Sequence, residues 1–477
     1  MSGAPAMRER PLRPARADRP FGWRDKVGYL LGDFGNDFVF IFASSFLMVF
    51  YTNVAGLDPA AVGLIFLIVR VIDAFVDVAW GRFLDTHRAS PRGRFRVWIG
   101  RMALPLAVVS ALLYVPMIGD WAYGVRLAYA GITYLLWGSC FYMMVNISYG
   151  SMASVMTEDP AQRSALSVWR STGASAAGLF VGVVPPLFIY ATVDGVSQVH
   201  PMNLFLTATA FAGGALVFLL LCYRMTNERV VVAPSAQRRG LGTVLGALSR
   251  DKALLTLVLA NLVMMIGQFL SQSMAPYLWL NYFNNGQLSS IAAVLGIAPV
   301  LLIAPFATRL GRRFGKKEIA IVAGAVATGM HLLTFLLHVT NPWAFLGLTF
   351  LGNLGMSLFM LLVWAFITDV IDAIDVKTGS REDGTVYAIV VWARKLGLAA
   401  VGGLSGFALA AIGFHAGQAT QSHETVAGIY AIATLGPAIL FALFTLVMWL
   451  LYPLTRARVE ANAAALASRR AAPVVVD

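Results

Sequence analysis

Charge is scarce in this chain. Only 13% of its 477 residues are Asp, Glu, Lys or Arg, against 58% hydrophobic residues and a mean hydropathy of +0.72. Ordinary soluble domains carry about a quarter charged residues, so that class is excluded. Cysteine is nearly absent: Cys140 and Cys222 both sit inside apolar runs, which leaves no disulfide framework and no thiolate metal site. The six histidines are scattered, and His331, well inside an apolar run, suits a packed residue better than a ligand. There is no H-E-x-x-H, no phosphate loop and no nucleophile motif. An enzyme is therefore not expected, and no catalytic residue, metal or cofactor is assigned. The Arg- and Pro-rich start lacks the apolar core and cleavage site of a signal peptide, so the first span is expected to serve as anchor.

What is abundant is apolar sequence in runs of bilayer-crossing length. Such runs, separated by short polar links, mean an all-α polytopic membrane protein. Twelve spans are predicted, at 27–51, 60–83, 97–117, 125–149, 168–192, 203–224, 253–280, 288–308, 317–338, 343–370, 387–413 and 425–453. The link at 225–252 divides them into six-helix bundles at 27–224 and 253–453, with tails at 1–26 and 454–477. Of the 36 Lys and Arg, 27 fall in the two tails and in the links after the even-numbered spans, and none in the opposite links. This asymmetry predicts cytoplasmic termini and an inner (plasma) membrane location. It also accounts for the net charge of +12 without a nucleic-acid partner. A monomer in the lipid bilayer is expected.

Against this background a few polar side chains stand out. Arg70, Asp73 and Asp77 lie in the middle of the second span and share nearly one helix face. Each costs ~2.5–3.5 kcal/mol in lipid, so they must face a bundle interior, where such groups bind or pass ions. The first span carries Gly32-Asp33-Phe34-Gly35-Asn36-Asp37. Asp37 beside Asn36 suits charge-assisted recognition of hydroxyls, or else a structural ion pair. Asp33, nearer the predicted cytoplasmic end, is read as reaching water and is left out of the site. Tyr142, Asn146 and Tyr149 recur at spacings of four and three, a stripe that serves either helix packing or contact with a sugar ring. Arg170 opens the fifth span, in a position that also permits snorkelling. Trp392 and Lys395 lie in the eleventh, where Lys395 needs an anionic partner among Asp37, Asp73 and Asp77. Trp364 and Asp369, near the cytoplasmic end of the tenth span, are read as structural, and the stretch from Asp369 to Thr385 mostly as a solvated acidic link.

Two resemblances follow. The link G-R-F-L-D-T-H-R-A-S-P-R-G-R-F-R at Gly81–Arg96 is echoed by R-L-G-R-R-F-G-K-K at Arg309–Lys317. Short basic links at matching places in two halves resemble the major facilitator superfamily, in which six-helix halves rock around a midplane site. More specifically, D-F-G-N-D, Y-T-N-V-A-G-L-D-P-A-A-V-G, R-V-I-D-A-F-V-D, N-I-S-Y-G-S-M-A-S-V-M-T, D-P-A-Q-R and A-R-K-L-G occur in an order that resembles the glycoside–pentoside–hexuronide:cation symporters, from about Tyr29 to Gly397. The resemblance implies a sugar contact at Asp37, a coupling cation at Asp73 and Asp77, and a sugar-assisting Arg170. It also implies a Lys395 near the acidic cluster and a sugar contact at Asn146. In the melibiose permease branch the position of Asn146 is Asp and that of Gly150 is Trp. These departures point away from a galactoside and toward the glucuronide and xyloside branch.

The coupling cation is a proton or sodium. Sodium-using relatives place an amide before the second Asp and a hydroxyl in the fourth span, where this chain has Val76 and Met143. Hard cations want several oxygen ligands, whereas two close carboxylates in a dry site can share a proton, so the donor set favours a proton. The expected function is cation-coupled symport of a small-molecule sugar. The alternatives are an amphiphile (lysophospholipid) symporter or a proton-driven exporter on the same scaffold.

Overall fold

The computed structural model describes residues 19–86, 90, 93–230, 251–379 and 383–471; within its helices the side chains of Trp392 and Lys395 are among those outside the described set. Most of the basic N-terminal tail, most of the central link and the last six residues also lie outside it.

Twelve long helices form the body: α1 (Trp23–Val54), α2 (Pro59–Thr86), α3 (Arg96–Leu112), α4 (Tyr123–Met156), α5 (Pro160–Ile189), α6 (Pro201–Met225), α7 (Lys252–Tyr282), α8 (Ser289–Phe314), α9 (Lys316–Leu336), α10 (Pro342–Thr378), α11 (Asp383–Ala411) and α12 (His423–Leu451). Among the described residues, nine helices are long and apolar enough to cross a membrane by length and composition alone; α2, α3 and α11 complete the twelve. A surface helix, α13 (Arg456–Ala471), follows.

Local chemistry sets many of the boundaries. Asp159 and Asn341 each cap the helix behind them by accepting a backbone N–H two residues on, and Pro160 and Pro342 follow at the first helical position. Both devices satisfy or remove the donors that a helix start leaves orphaned. Asp251 does the same for α7, accepting from Ala253 and Leu254.

Packing repeats with a period of six helices. α1 packs along α5 and α6, and α3 along α6 and α4; likewise α7 packs along α11 and α12, and α9 along α12 and α10. The two sets meet along α2–α11 and α5–α8, themselves related by the same shift, and along α1–α7. This mirrored contact pattern is the geometric counterpart of the sequence echo.

An antiparallel hairpin, β1 (Tyr190–Val193) and β2 (Val196–Val199), follows α5 at the end opposite the basic links. Nothing in the apolar pattern announced it. At this hairpin face the two sets are closed on one another. Ser197 N–H donates to Asn284 Oδ1 at 2.6 Å, Ser197 Oγ accepts from Gly286 N–H at 3.0 Å, and Thr52 and Tyr277 share a hydroxyl bond at 2.8 Å. Glycine brings the helix backbones together here: a Cβ on Gly406 of α11 would lie 2.4 Å from Pro59 O and 2.7 Å from Gly63 Cα of α2. On α5, a Cβ on Gly182 would come within 2.6 Å of Ala293 Cβ on α8.

At the basic face each set is fastened internally. Glu228 accepts three consecutive backbone N–H groups, from Arg94, Phe95 and Arg96, at 2.7, 2.8 and 2.6 Å. Arg96 reaches back to Thr226 O and Asn227 Oδ1, while buried Asp25 pairs with Arg19 at 3.0 Å and Arg229 at 2.9 Å. In the second set Lys316 binds Asp369 at 2.7 Å. The latter pair accords with a structural role for Asp369 at the end of the tenth span. α10 runs on to Thr378, so Asp369 is a buried helical residue, held inside because it has its own cation.

Candidate functional site

The site is built where α1, α2 and α4 converge. On α2, Arg70 Nη1 donates to Asp73 Oδ2 at 3.3 Å, with both side chains largely buried. Asp77 lies one turn further on the same helix and is half-buried. Facing Asp73 is a π turn in α4, Leu136–Tyr142, from which the Ser139 hydroxyl donates to Asp73 Oδ1. A π turn inserts a residue into the helical ladder and swings nearby side chains round, a device frequent at functional sites. Its effect is to revise the sequence reading, which took Met143 as the position for a fourth-span hydroxyl and found it apolar. Met143 is buried in the core, and the hydroxyl comes instead from Ser139, one turn earlier.

On α1 the structure changes the reading of Asp33. Asp33 is only 3% exposed and pairs with Arg170 of α5 at 3.1 Å. The expectation that Asp33 reaches water is therefore corrected. α1 begins at Trp23, which sets Asp33 ten residues into the helix, and a Cβ on Gly173 of α5 would fall 2.6 Å from Leu30 O, so the helices touch there. The spacing of four between Asp33 and Asp37 was the available signal, since both then share a face. Arg170 also lies over the Tyr149 ring at 5.4 Å. Tyr149 is fully buried, stacked on Tyr29 at 4.5 Å and donating its hydroxyl to Tyr29 O at 2.7 Å. It thus buttresses Arg170 from within the core.

Asn36, buried to 1% exposure, donates through Nδ2 to Tyr142 Oη at 3.3 Å and to Asn146 Oδ1 at 3.4 Å. This knits α1 to the polar stripe of α4. Its Oδ1 is buried without a hydrogen-bond partner among the described residues. Tyr142 in turn stacks between Phe40 at 5.1 Å and Trp137 at 5.4 Å, forming an aromatic wall. The stripe therefore packs and presents polar atoms at once. Asp37 lies on the same helix as Asn36, and Trp392 and Lys395 are carried by α11, but the last two side chains lie outside the described residues.

Toward the hairpin face from this cluster is a cavity of about 170 Å³ shared by α1, α2 and α4 with α7 and α11. Its lining combines aromatic rings (Phe40, Tyr134, Trp137) with the polar side chains of Ser45, Gln272 and Ser405, and it includes Arg70. Sequence reading missed this far wall: single Ser and Gln residues in apolar helices carry little signal until two helix sets bring them together. Among the described residues no group of three or more His, Cys, Asp or Glu could hold a metal ion. The arrangement can host a ligand with an apolar face and several hydroxyls beside a carboxylate pair capable of holding one cation.

Comparison with known proteins follows the same line. Residues 28–456 match the family described as MFS/sugar transport protein. The chain is 32% identical over 446 residues to the glucuronide carrier protein homolog of Escherichia coli (strain K12), covering 92% of this chain and 94% of that one. It is 29% identical over 447 residues to a putative 2,3-dihydroxypropane-1-sulfonate exporter of Salmonella typhimurium strain LT2, with coverage of 92% and 94%. Among solved structures, a D-xylose-proton symporter superposes with a TM-score of 0.60 at 15% identity, covering 90% of this chain and 97% of that one, a likeness of fold.

Proposed function

The chain belongs to the MFS/sugar transport protein family, a multi-pass secondary transporter and not an enzyme, and from that premise we propose that it imports an acidic sugar, a hexuronide or its glycoside, together with a cation. The observation that carries this reading is the chain of contacts Ser139–Asp73–Arg70, which ends in an aromatic and hydroxyl-lined cavity that both helix sets share. Cation and cargo would then occupy adjoining positions, and each would favour the other's binding.

In this reading Asp73 and Asp77 take the cation, with Ser139 as a third oxygen. Three oxygen-bearing side chains beside apolar Val76 and Met143 favour a proton over sodium, even with the added hydroxyl. Asp37, Asn36 and Asn146 meet the sugar hydroxyls, Asn36 offering a buried acceptor that lacks a partner among the described residues. Tyr142 presents the aromatic wall, Tyr149 and Arg170 hold the α1–α5 side of the site, and Trp392 and Lys395 contribute from α11. The basic links mark the cytoplasmic side of an inner membrane. The described conformation is closed at the hairpin face.

The test is uptake into proteoliposomes of radiolabelled glucuronides, xylosides and neutral glycosides, driven first by a proton gradient and then by a sodium gradient. Glucuronide accumulation under the proton gradient alone is expected; accumulation under sodium alone would overturn the choice of ion, and no accumulation of any glycoside would overturn the cargo. The likeness to a sulfonate exporter supports a second reading, export of a small acid on the same scaffold. Gradient-driven loss of a preloaded hexuronate from right-side-out vesicles, against the imposed direction of import, would favour it.

A further inference from the structure

Arg70 is the charged side chain, among the described residues, that lines the cavity between the helix sets. Its guanidinium has five donors, and its described ion pair, the 3.3 Å contact with Asp73, is longer than a well-made charge-assisted bond. The rest of the group lies against the Phe40 ring at 5.9 Å, with Tyr134 and Trp137 also lining the cavity. A cation buried this deeply is costly unless it has anionic partners. Asp73, however, is also the acceptor of the Ser139 hydroxyl and belongs to the carboxylate pair assigned above to the coupling cation. When that cation takes over the Asp73 oxygens, Arg70 loses part of its counter-charge while remaining at the cavity wall.

We propose that Arg70 is the anchor for the anionic group of the cargo, a sugar carboxylate gripped by the guanidinium at the inner end of the cavity while the ring lies along the wall made by Phe40, Tyr134 and Trp137. This rests on the acidic-sugar reading above and adds to it the residue that selects acid over neutral sugar. It also supplies a route for coupling. Cation on Asp73 frees guanidinium donors, and cargo carboxylate takes them up, so a cation and an anion enter together with little net charge left buried. Arg suits this role because its planar fork matches a carboxylate in two bonds at once.

The experiment measures affinities of the purified full-length protein in nanodiscs for two probes that differ at one carbon, p-nitrophenyl β-D-glucuronide and p-nitrophenyl β-D-glucoside. Wild-type protein is expected to prefer the glucuronide. Arg70→Gln should weaken glucuronide binding roughly 10- to 100-fold, as loss of a hydrogen bond to a charged group does, and change glucoside binding less than about threefold. Arg70→Lys, which keeps the charge but not the fork, should lower the preference by a smaller factor, and carries the test if the Gln variant does not fold. Measured with the cation site saturated, Ser139→Ala disturbs Asp73 without touching the guanidinium and should leave the ratio of the two affinities unchanged. An unaltered ratio in both Arg70 variants would overturn the proposal, as would an equal fall of the ratio in Ser139→Ala, since Arg70 would then act only through Asp73. If wild-type protein binds both probes equally, the anchor fails and the sugar carrier stands; if it binds neither, the glycoside reading itself fails.

Discussion

Gly406 offers the sharpest test of how the two helix sets close. A Cβ there would stand 2.4 Å from Pro59 O, 2.7 Å from Gly63 Cα and 2.8 Å from Gly63 N, all backbone atoms of α2. Backbone cannot rotate out of the way as a long side chain can, so relief requires α2 and α11 to separate. Overpacking ordinarily costs ~1–3 kcal/mol, and the upper part of that range applies where the neighbour is rigid. The cost falls on the hairpin-closed arrangement alone if the rocking motion parts this seam. For Gly406→Val, about 2.7 kcal/mol then lowers the closed-to-open ratio roughly a hundredfold. Spin labels on Asp58 and Gln418, both on the hairpin-face links, would report it by electron–electron double resonance. A longer distance population should dominate in the variant, accompanied by slow uptake and unimpaired cargo binding from the hairpin side. A distance distribution identical to wild type, with wild-type uptake, would refute the idea that this contact belongs to one state of the cycle.

Further outcomes follow from the site. Asp77→Asn should abolish accumulation against a gradient, and a variant that still concentrates sugar in vesicles would remove Asp77 from the coupling role. Ser139→Ala deletes a hydrogen bond to a carboxylate, a loss of ~1.5–3 kcal/mol in comparable settings, and so should weaken cation-dependent stimulation of binding by about tenfold or more, read from calorimetric titration at several cation concentrations. Asp33→Asn and Arg170→Gln should each lower the thermal midpoint, and the double variant should lose less than the sum, because removing one partner strands the other as a buried polar group. Strict additivity in that cycle would mean that the 3.1 Å pair carries no coupling.

Much of the fold was legible because lipid leaves few options. Spans could be read from apolar length, and the even basic links from charge asymmetry. The site was legible to the degree that it violated those rules: Arg70, Asp73 and Asp77 were conspicuous because charge in lipid is costly. Asp33 was misjudged because its depth depends on where α1 begins, and helix ends are the least certain part of such a reading. Ser139 stayed hidden because its orientation depends on a π turn, and counting in steps of 3.6 residues assigns the wrong face beyond such a turn. Ser45, Gln272 and Ser405 were hidden for a third reason. They belong to helices far apart in sequence, and only the packing of α1, α7 and α11 makes them neighbours.

Glu228 grips the start of α3, Arg229 reaches Asp25, and Arg96 holds the carbonyl of Thr226. The segment leaving α6 is thus already locked down by the time the chain reaches Val230, and the first six helices form a self-contained assembly at that point. The fastening of α6 to the starts of α1 and α3 is therefore made by residues before Val230. Cut after Val230 and made as two separate polypeptides, the protein should reassemble in the bilayer along its α2–α11 and α5–α8 seams and carry cargo as before.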